Sequence, residues 1–357
     1  MQTTPSTPSF MMLAPMEGVV DPCVREIFSA IGGIDRCVTE FVRVTQQRLP
    51  ARTFYRYCPE LKQQSRTQVG TPVYVQLLGD HPEMMAANAV KAVELGAMAI
   101  DINFGCPAKS VNNHGGGAVL LTSPDTLYAI AHCIRSALAD TIPLTAKVRL
   151  GFADKLLALD NAHALEDAGI AELAVHGRTK VEGYKPPAYW DEIGKISQAL
   201  TIPVIANGEI WNLNDLQRCM EESYSSRIML GRGLIACPDL ALMARDNNRQ
   251  ALHWGDISLL LCYYFAELTI RCDAQYISGL VKQWLVYLRT QYADAFLFFE
   301  QVKRINDANL MRKALHSELI KQNTLRDIQG HIGNLDLRHF LQQTLTNSDS
   351  GYHEQTF

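Results

Sequence analysis

The chain has 357 residues, 47% hydrophobic and 20% charged, an ordinary globular composition with room for one large and one smaller domain. Its 33 lysines and arginines stand against 37 acids, a formal net charge of −4, so nothing in the totals advertises a polyanion partner, although a local basic patch fits inside a balanced sum. The 9 cysteines include no CxxC pair and argue against a disulfide framework or a zinc site, and no apolar run is long enough to cross a bilayer.

Reduced thiols imply a cytoplasmic protein, and residues 1–15 lack the basic start of a signal peptide. After an N-terminal extension (1–10), Met11–Pro15 reads as a strand and Pro22–Ile31 as a helix. Cys37–Phe41 is a second β-like run, with Glu40 and Arg43 at its end, and the polar stretch Arg52–Gly70 reads as irregular surface. Pro72–Leu78 is rich in β-branched and aromatic residues and is followed by helical periodicity over His81–Leu95. Met98–Ile102 reads as a buried strand that stops at Asn103, Gly105 and Pro107, and Ser123 with Pro124 marks the start of the next helix. Four more units follow: Leu144–Leu150 with Asp160–Ala168, Glu172–His176 with Asp191–Leu200, Pro203–Ala206 with Leu213–Glu221, and Arg227–Leu230 with a helix from near Pro238.

Eight strand–helix units point to an α/β fold, a parallel (βα)8 TIM barrel over residues 11–245, rather than an open doubly wound sheet, because no GxGxxG follows the first strand. Beyond Gly255 the β signal disappears. Residues 255–345 read as a smaller, all-α helical bundle, and 346–357 as a loose tail.

In a barrel the chemistry collects where strands end. Glu17, Glu40, Gln76, Asn103, Cys106, Lys147, Arg149, His176, Asn207, Glu209 and Arg232 all fall at or just past a strand's carboxyl end. Cys106, on a loop between a glycine and a proline with nothing obvious to pack against, is a candidate functional thiol, against the bland reading of a small buried hydrophobe. Gly115–Gly117 downstream imply close backbone approach. Lys147, in a strand that otherwise reads as buried, needs an anionic partner or a proton-transfer role. His176 alone could be a hydrogen-bonded rim histidine, and Glu17 and Glu209 could be solvated charges. Gly231-Arg232-Gly233 after the last strand, with Asn207-Gly208 after the one before, sits where such barrels bind phosphate. No metal-ligand pattern is present in the sequence.

With these residues assembled, the chain resembles the tRNA-dihydrouridine synthases, flavin enzymes that reduce uridine in tRNA, over both barrel and helical region. The resemblance rests on Ala14–Gly18, Val75–Leu77, Asp101–Pro107 with the glycines after it, Lys147–Arg149, His176–Thr179, Asn207–Glu209 and Gly231–Gly233. Thr39–Arg43 and Val281–Leu285 are similar to the branch that acts on uridine 16 of the D-loop, although Leu280 stands where that branch has arginine.

The resemblance implies FMN held by Pro15, Met16, Glu17, Gln76, Lys147, His176, Asn207, Gly208, Glu209, Gly231 and Arg232, with NADPH as reductant. It implies Cys106 as the proton donor to C5 of the uracil after hydride delivery to C6, and tRNA contacts through Arg43, Asn103, Arg149, Tyr184, Lys282, Tyr287 and Lys303. A monomeric cytoplasmic enzyme with no metal and no membrane contact is expected. The alternatives are an FMN barrel acting on a free pyrimidine and a catalytically inactive RNA-binding barrel.

Overall fold

The computed structural model describes residues 7–246 and 248–349, which fall into two compact units. The first runs to Arg25 and resumes over Ile34–Gly231; the second joins Glu26–Gly33 to the chain from Arg232 onward.

The first unit is the barrel. Its strands are β1 (Phe10–Leu13), β2 (Arg36–Val38), β3 (Val42–Arg43), β4 (Val73–Leu78), β5 (Ile100–Asn103), β6 (Leu144–Gly151), β7 (Glu172–Thr179), β8 (Val204–Asn207) and β9 (Arg227–Leu230). They pair in parallel in the order β2-β1-β9-β8-β7-β6-β5-β4, and a β2–β4 pairing closes the ring. β2 and β3 share one barrel position. Val38 lies opposite Tyr74 and Val42 opposite Leu77, so this strand spends one residue more than β4, and the bulge at Thr39–Phe41 turns Glu40 off the ladder.

Side chains alternate along each strand, so one parity faces the barrel interior. Met12, Val38, Tyr74, Ala99, Ala174, Ile205 and Met229 form its apolar middle. At the amino ends, Glu172 is ion-paired to both Arg36 and Arg227. Both guanidinium groups lie on the Phe10 ring, at 4.7 and 4.2 Å. This paired, aromatic-backed layer plugs the floor. Two residues beyond the apolar middle, the same parity delivers Gln76, Asp101, His176 and Asn207 to the carboxyl end.

The stretch Arg52–Gly70, expected to be irregular surface, is instead structural. It forms a helix over Ala51–Tyr57 and a 3-10 turn over Pro59–Gln63, with Phe54, Cys58 and Leu61 buried. Glu60 grips the fully buried Arg25 through two hydrogen bonds of 2.9 and 3.0 Å. Few apolar residues carry this burial, because one buried ion pair supplies the anchor.

The second unit takes up the chain from Arg232. A helix over Arg232–Ala236 follows β9 without the expected gap to Pro238, and the Trp284 indole donates to its Ile235 carbonyl at 3.0 Å. Arg245 donates to the Gly33 carbonyl at 3.0 Å. These bonds group that helix, and the one over Leu240–Arg245, with the helical region. Its further helices are Trp254–Arg271, Ala274–Leu288, Ala293–Val302, Ala308–Leu325 and Arg338–Asp349. An antiparallel hairpin of His331–Ile332 and Leu335–Asp336 corrects the all-α expectation, its strands being too short for a periodic signal. The expected loose tail starts inside a helix, since Thr346 belongs to Arg338–Asp349; residues 350–357 lie outside the described residues.

Candidate active site

Cys106 follows β5 on a loop whose backbone is pinned from several directions. Phe104 N–H donates to the Lys147 carbonyl (2.9 Å), and Gly105 N–H to Asn103 Oδ1 (2.9 Å). Arg149 Nε donates to the Gly105 carbonyl (2.9 Å). The Cys106 carbonyl accepts from Asn112 Nδ2 (2.9 Å) and Ala118 N–H (3.1 Å). Gly117, at φ +70°, lies so near that a Cβ there would stand 2.8 Å from the Cys106 oxygen, which is the close approach expected of the glycine run.

Cys106 is 9% exposed and packs with Leu78, Val111 and Phe41. That corrects the expectation of a cysteine with nothing to pack against, because the one-turn helix Lys109–Asn112 folds Val111 back over it. Burial pushes the thiol up from its ordinary range and the charge of Glu17 adds to this, against the Ala108 N–H and the cations Arg149 and Lys147. The shift favours the protonated thiol, S–H.

Beside it runs a buried relay. Thr145 Oγ1 donates to Asp101 Oδ1 (2.6 Å), Gln76 Nε2 to Asp101 Oδ2 (2.7 Å), and Asn103 Nδ2 to Gln76 Oε1 (2.8 Å). These bonds fix which way both amides face. Burial raises the Asp101 carboxyl, while Thr145 and Gln76 oppose the rise. Lys147 is pushed down to about 8 by burial and by Arg149, with Asp101 working the other way. Asp101 therefore meets the ammonium as a nearby charge, with each of its oxygens already accepting one hydrogen bond.

On the β7–β8 side, the His176 ring meets the half-exposed Tyr184 edge-on at 6.0 Å. Asn207 Nδ2 donates to the Met229 carbonyl at 2.8 Å. Gly208, at φ +119°, leaves His176 room, since a Cβ would come within 3.3 Å of Nε2. Glu209 is ion-paired to the buried Arg178 and accepts from Trp211 Nε1 (2.9 Å), so its carboxylate braces the loop after β8. Gly231, after β9, lies against Ala14 and Met16, which follow β1, and Ala14 N–H donates to the Leu230 carbonyl at 2.8 Å. Glu40 accepts from Gly18 N–H at 2.5 Å, and burial raises both it and Glu17, the latter also through Glu40's charge. Pro15 and Met16 are half-buried on the same loop.

Several expected nucleic-acid contacts prove to be engaged within the protein. Arg149 is buried, donating to the Thr179 and Gly183 carbonyls (3.1 and 2.9 Å) as well as Gly105, with Tyr184 against its guanidinium at 5.0 Å. Arg43 reaches the Ser110 carbonyl at 3.4 Å. In the second unit, Lys282 donates to the Ile305 carbonyl (2.8 Å) and to Asn306 (2.9 Å), and Lys303 pairs with Glu300 at 2.5 Å. Tyr287 is half-buried on the helix Ala274–Leu288, and Arg232 opens the second unit directly after Gly231.

Sequence reasoning missed Asp101, Thr145 and Asn112 as parts of the site. The first two carry a usable signal, polar residues at interior parity within apolar strands; Asn112 carries none. A cleft of about 620 Å³ lies apart from the relay, between the loops after β6 and β7 and the helix Trp190–Ala199, lined by Leu156, Glu192 and Lys195 among others. Among the described residues no cluster of three or more His, Cys, Asp or Glu could hold a metal, and no helix is long and apolar enough to cross a membrane.

The dihydrouridine synthase family model matches residues 12–264. The chain is 47% identical over 310 residues to a tRNA-dihydrouridine(16) synthase of Pseudomonas putida, covering 86% of this chain and 96% of that one. It is 49% identical over 294 residues to one of Shewanella oneidensis, covering 82% and 93%. Among solved structures, 2-naphthoyl-CoA reductase superposes with a TM-score of 0.52 at 12% identity, over 66% of this chain and 50% of that one. Histamine dehydrogenase from Rhizobium sp. 4-9 gives 0.50 at 14%, over 73% and 49%; at such identity these two speak to the barrel alone.

Proposed function

Since the chain belongs to the dihydrouridine synthase family, we propose that it binds FMN at the barrel mouth, takes electrons from NADPH and reduces the C5–C6 double bond of uridine 16 in the tRNA D-loop. The observation that carries this reading is a recessed cysteine, Cys106, on a pinned loop beside an inward-facing set of donors.

That set fits a flavin. Gln76, Lys147, His176 and Asn207 would hold its polar edges, the Gly208 and Gly231 backbones would let it approach closely, and the Lys147 ammonium suits a ring that turns anionic on reduction. Bound and reduced, the flavin supplies a hydride to C6 of the pyrimidine. Cys106 then supplies the proton: its S–H bond breaks as a C–H bond forms at C5, and the thiolate recovers a proton from water. Asn103, with one amide hydrogen and one lone pair left after its bonds to Gln76 and Gly105, would read the uracil edge. Tyr184, 52% exposed, offers a ring face for stacking.

A stacked base cannot reach a recessed thiol, so uridine 16 has to be turned out of the tRNA, at a cost of a few kcal/mol that a loop base keeps low. Arg149 serves in this reading as a clamp on the Cys106 loop rather than as a phosphate contact, because its donors face backbone carbonyls. Lys282 keeps one N–H for a phosphate. All nine cysteines are free, in keeping with a cytoplasmic enzyme.

Mapping dihydrouridine in tRNA from cells lacking this protein tests the reading. Position 16 should revert to uridine and regain dihydrouridine when the gene is restored; an unchanged position 16 would overturn the assignment.

A further inference from the structure

The Asn112 carboxamide bridges three segments. Its Nδ2 donates to the Cys106 carbonyl (2.9 Å) and to the Ala108 carbonyl (2.8 Å), while its Oδ1 accepts from Val119 N–H (2.8 Å). It thereby ties the loop carrying the thiol to the one-turn helix Lys109–Asn112 and to the 3-10 helix Gly117–Thr122. Among the described residues, the donors to the Cys106 carbonyl are Asn112 Nδ2 and Ala118 N–H, at 2.9 and 3.1 Å, and both come from segments beyond the Cys106-Pro107 turn.

From this geometry we infer that Asn112 is a positioning residue for proton transfer: its carboxamide sets where the Cys106 thiol stands relative to the inward-facing donors. Proton transfer to carbon tolerates little displacement, and an ångström of misplacement costs about a hundredfold. Asn112 touches neither substrate nor flavin in this account and acts through the cysteine alone. The inference rests on the proposed role of Cys106.

The test uses the flavin-loaded enzyme with tRNA lacking dihydrouridine. Asn112→Asp keeps the side-chain shape but presents oxygens to two carbonyls, and Asn112→Ala removes the bridge without that repulsion. Either variant should reduce flavin with NADPH at the normal rate and hold KM for tRNA. The dihydrouridine-forming rate of the pre-reduced enzyme should drop by about tenfold or more, with a larger solvent deuterium isotope effect.

Each substitution is then placed in a Cys106→Ala background, where it should add no further loss. Equal losses in both backgrounds, or full activity of both Asn112 variants, would overturn the positioning role while leaving Cys106 as the acid. Full activity of Cys106→Ala itself would remove the reading beneath it.

Discussion

At the scale of the residue, Lys147 shows how a single side chain's surroundings set its use. An ammonium in an interior-facing position loses hydration, and Arg149 two residues on repels it, so its proton is held only to about pH 8. The charge is present below that value and is lost as pH rises through it. Flavin affinity of the flavin-free protein should therefore weaken several-fold once pH passes about 8, with Lys147→Met weak and flat across the range; an equal dependence in both proteins would show that another group titrates. Lys147 stood out in the sequence because a cation in LTAKVRL conflicts with burial. Asp101 is legible by the same reasoning, a carboxylate at interior parity within the apolar strand Ile100–Asn103. Asn112 was not legible, because its partners are main-chain atoms brought near by a turn and no side-chain pattern encodes them.

Among the elements, the strands were readable because interior parity demands alternation and their ends demand punctuation, and β9 matches its expected bounds residue for residue. The segment Arg52–Gly70 was misread because a polar composition hid a buried pair. Arg25 is fully enclosed, and besides Glu60 it donates to the Val20 and Tyr57 carbonyls at 3.2 and 2.8 Å. Glu60→Gln should therefore cost about 3–5 kcal/mol in chemical denaturation, since it leaves a buried guanidinium without its counter-charge. A loss under about 1 kcal/mol would mean that the pair is hydrated and that the segment is the surface element its composition suggested. The engaged lysines give the same lesson from the other side. Lys282 and Lys303 could be recognised as cations in the sequence, but not as cations already bonded to Ile305, Asn306 and Glu300.

For the molecule as a whole, eight repeats of strand and helix made the barrel legible and with it the shared mouth, since a closed parallel ring brings every strand's carboxyl end together. The helices Arg232–Ala236 and Leu240–Arg245 have the apolar character of a barrel's last helix, and it is their bonds to Trp284 and Gly33 that tie them to the second unit, which the sequence does not encode. Substrate choice also belongs to this scale, because a free pyrimidine could meet the same thiol and the same donors. The most direct measurement follows the yellow colour of the NADPH-reduced, FMN-loaded enzyme after rapid mixing with tRNA lacking dihydrouridine, or with free uridine. The account predicts that tRNA restores the colour with one dihydrouridine formed per flavin, and that free uridine leaves the enzyme reduced. Reoxidation by free uridine as fast as by tRNA, or none by tRNA beyond that in buffer, would contradict it.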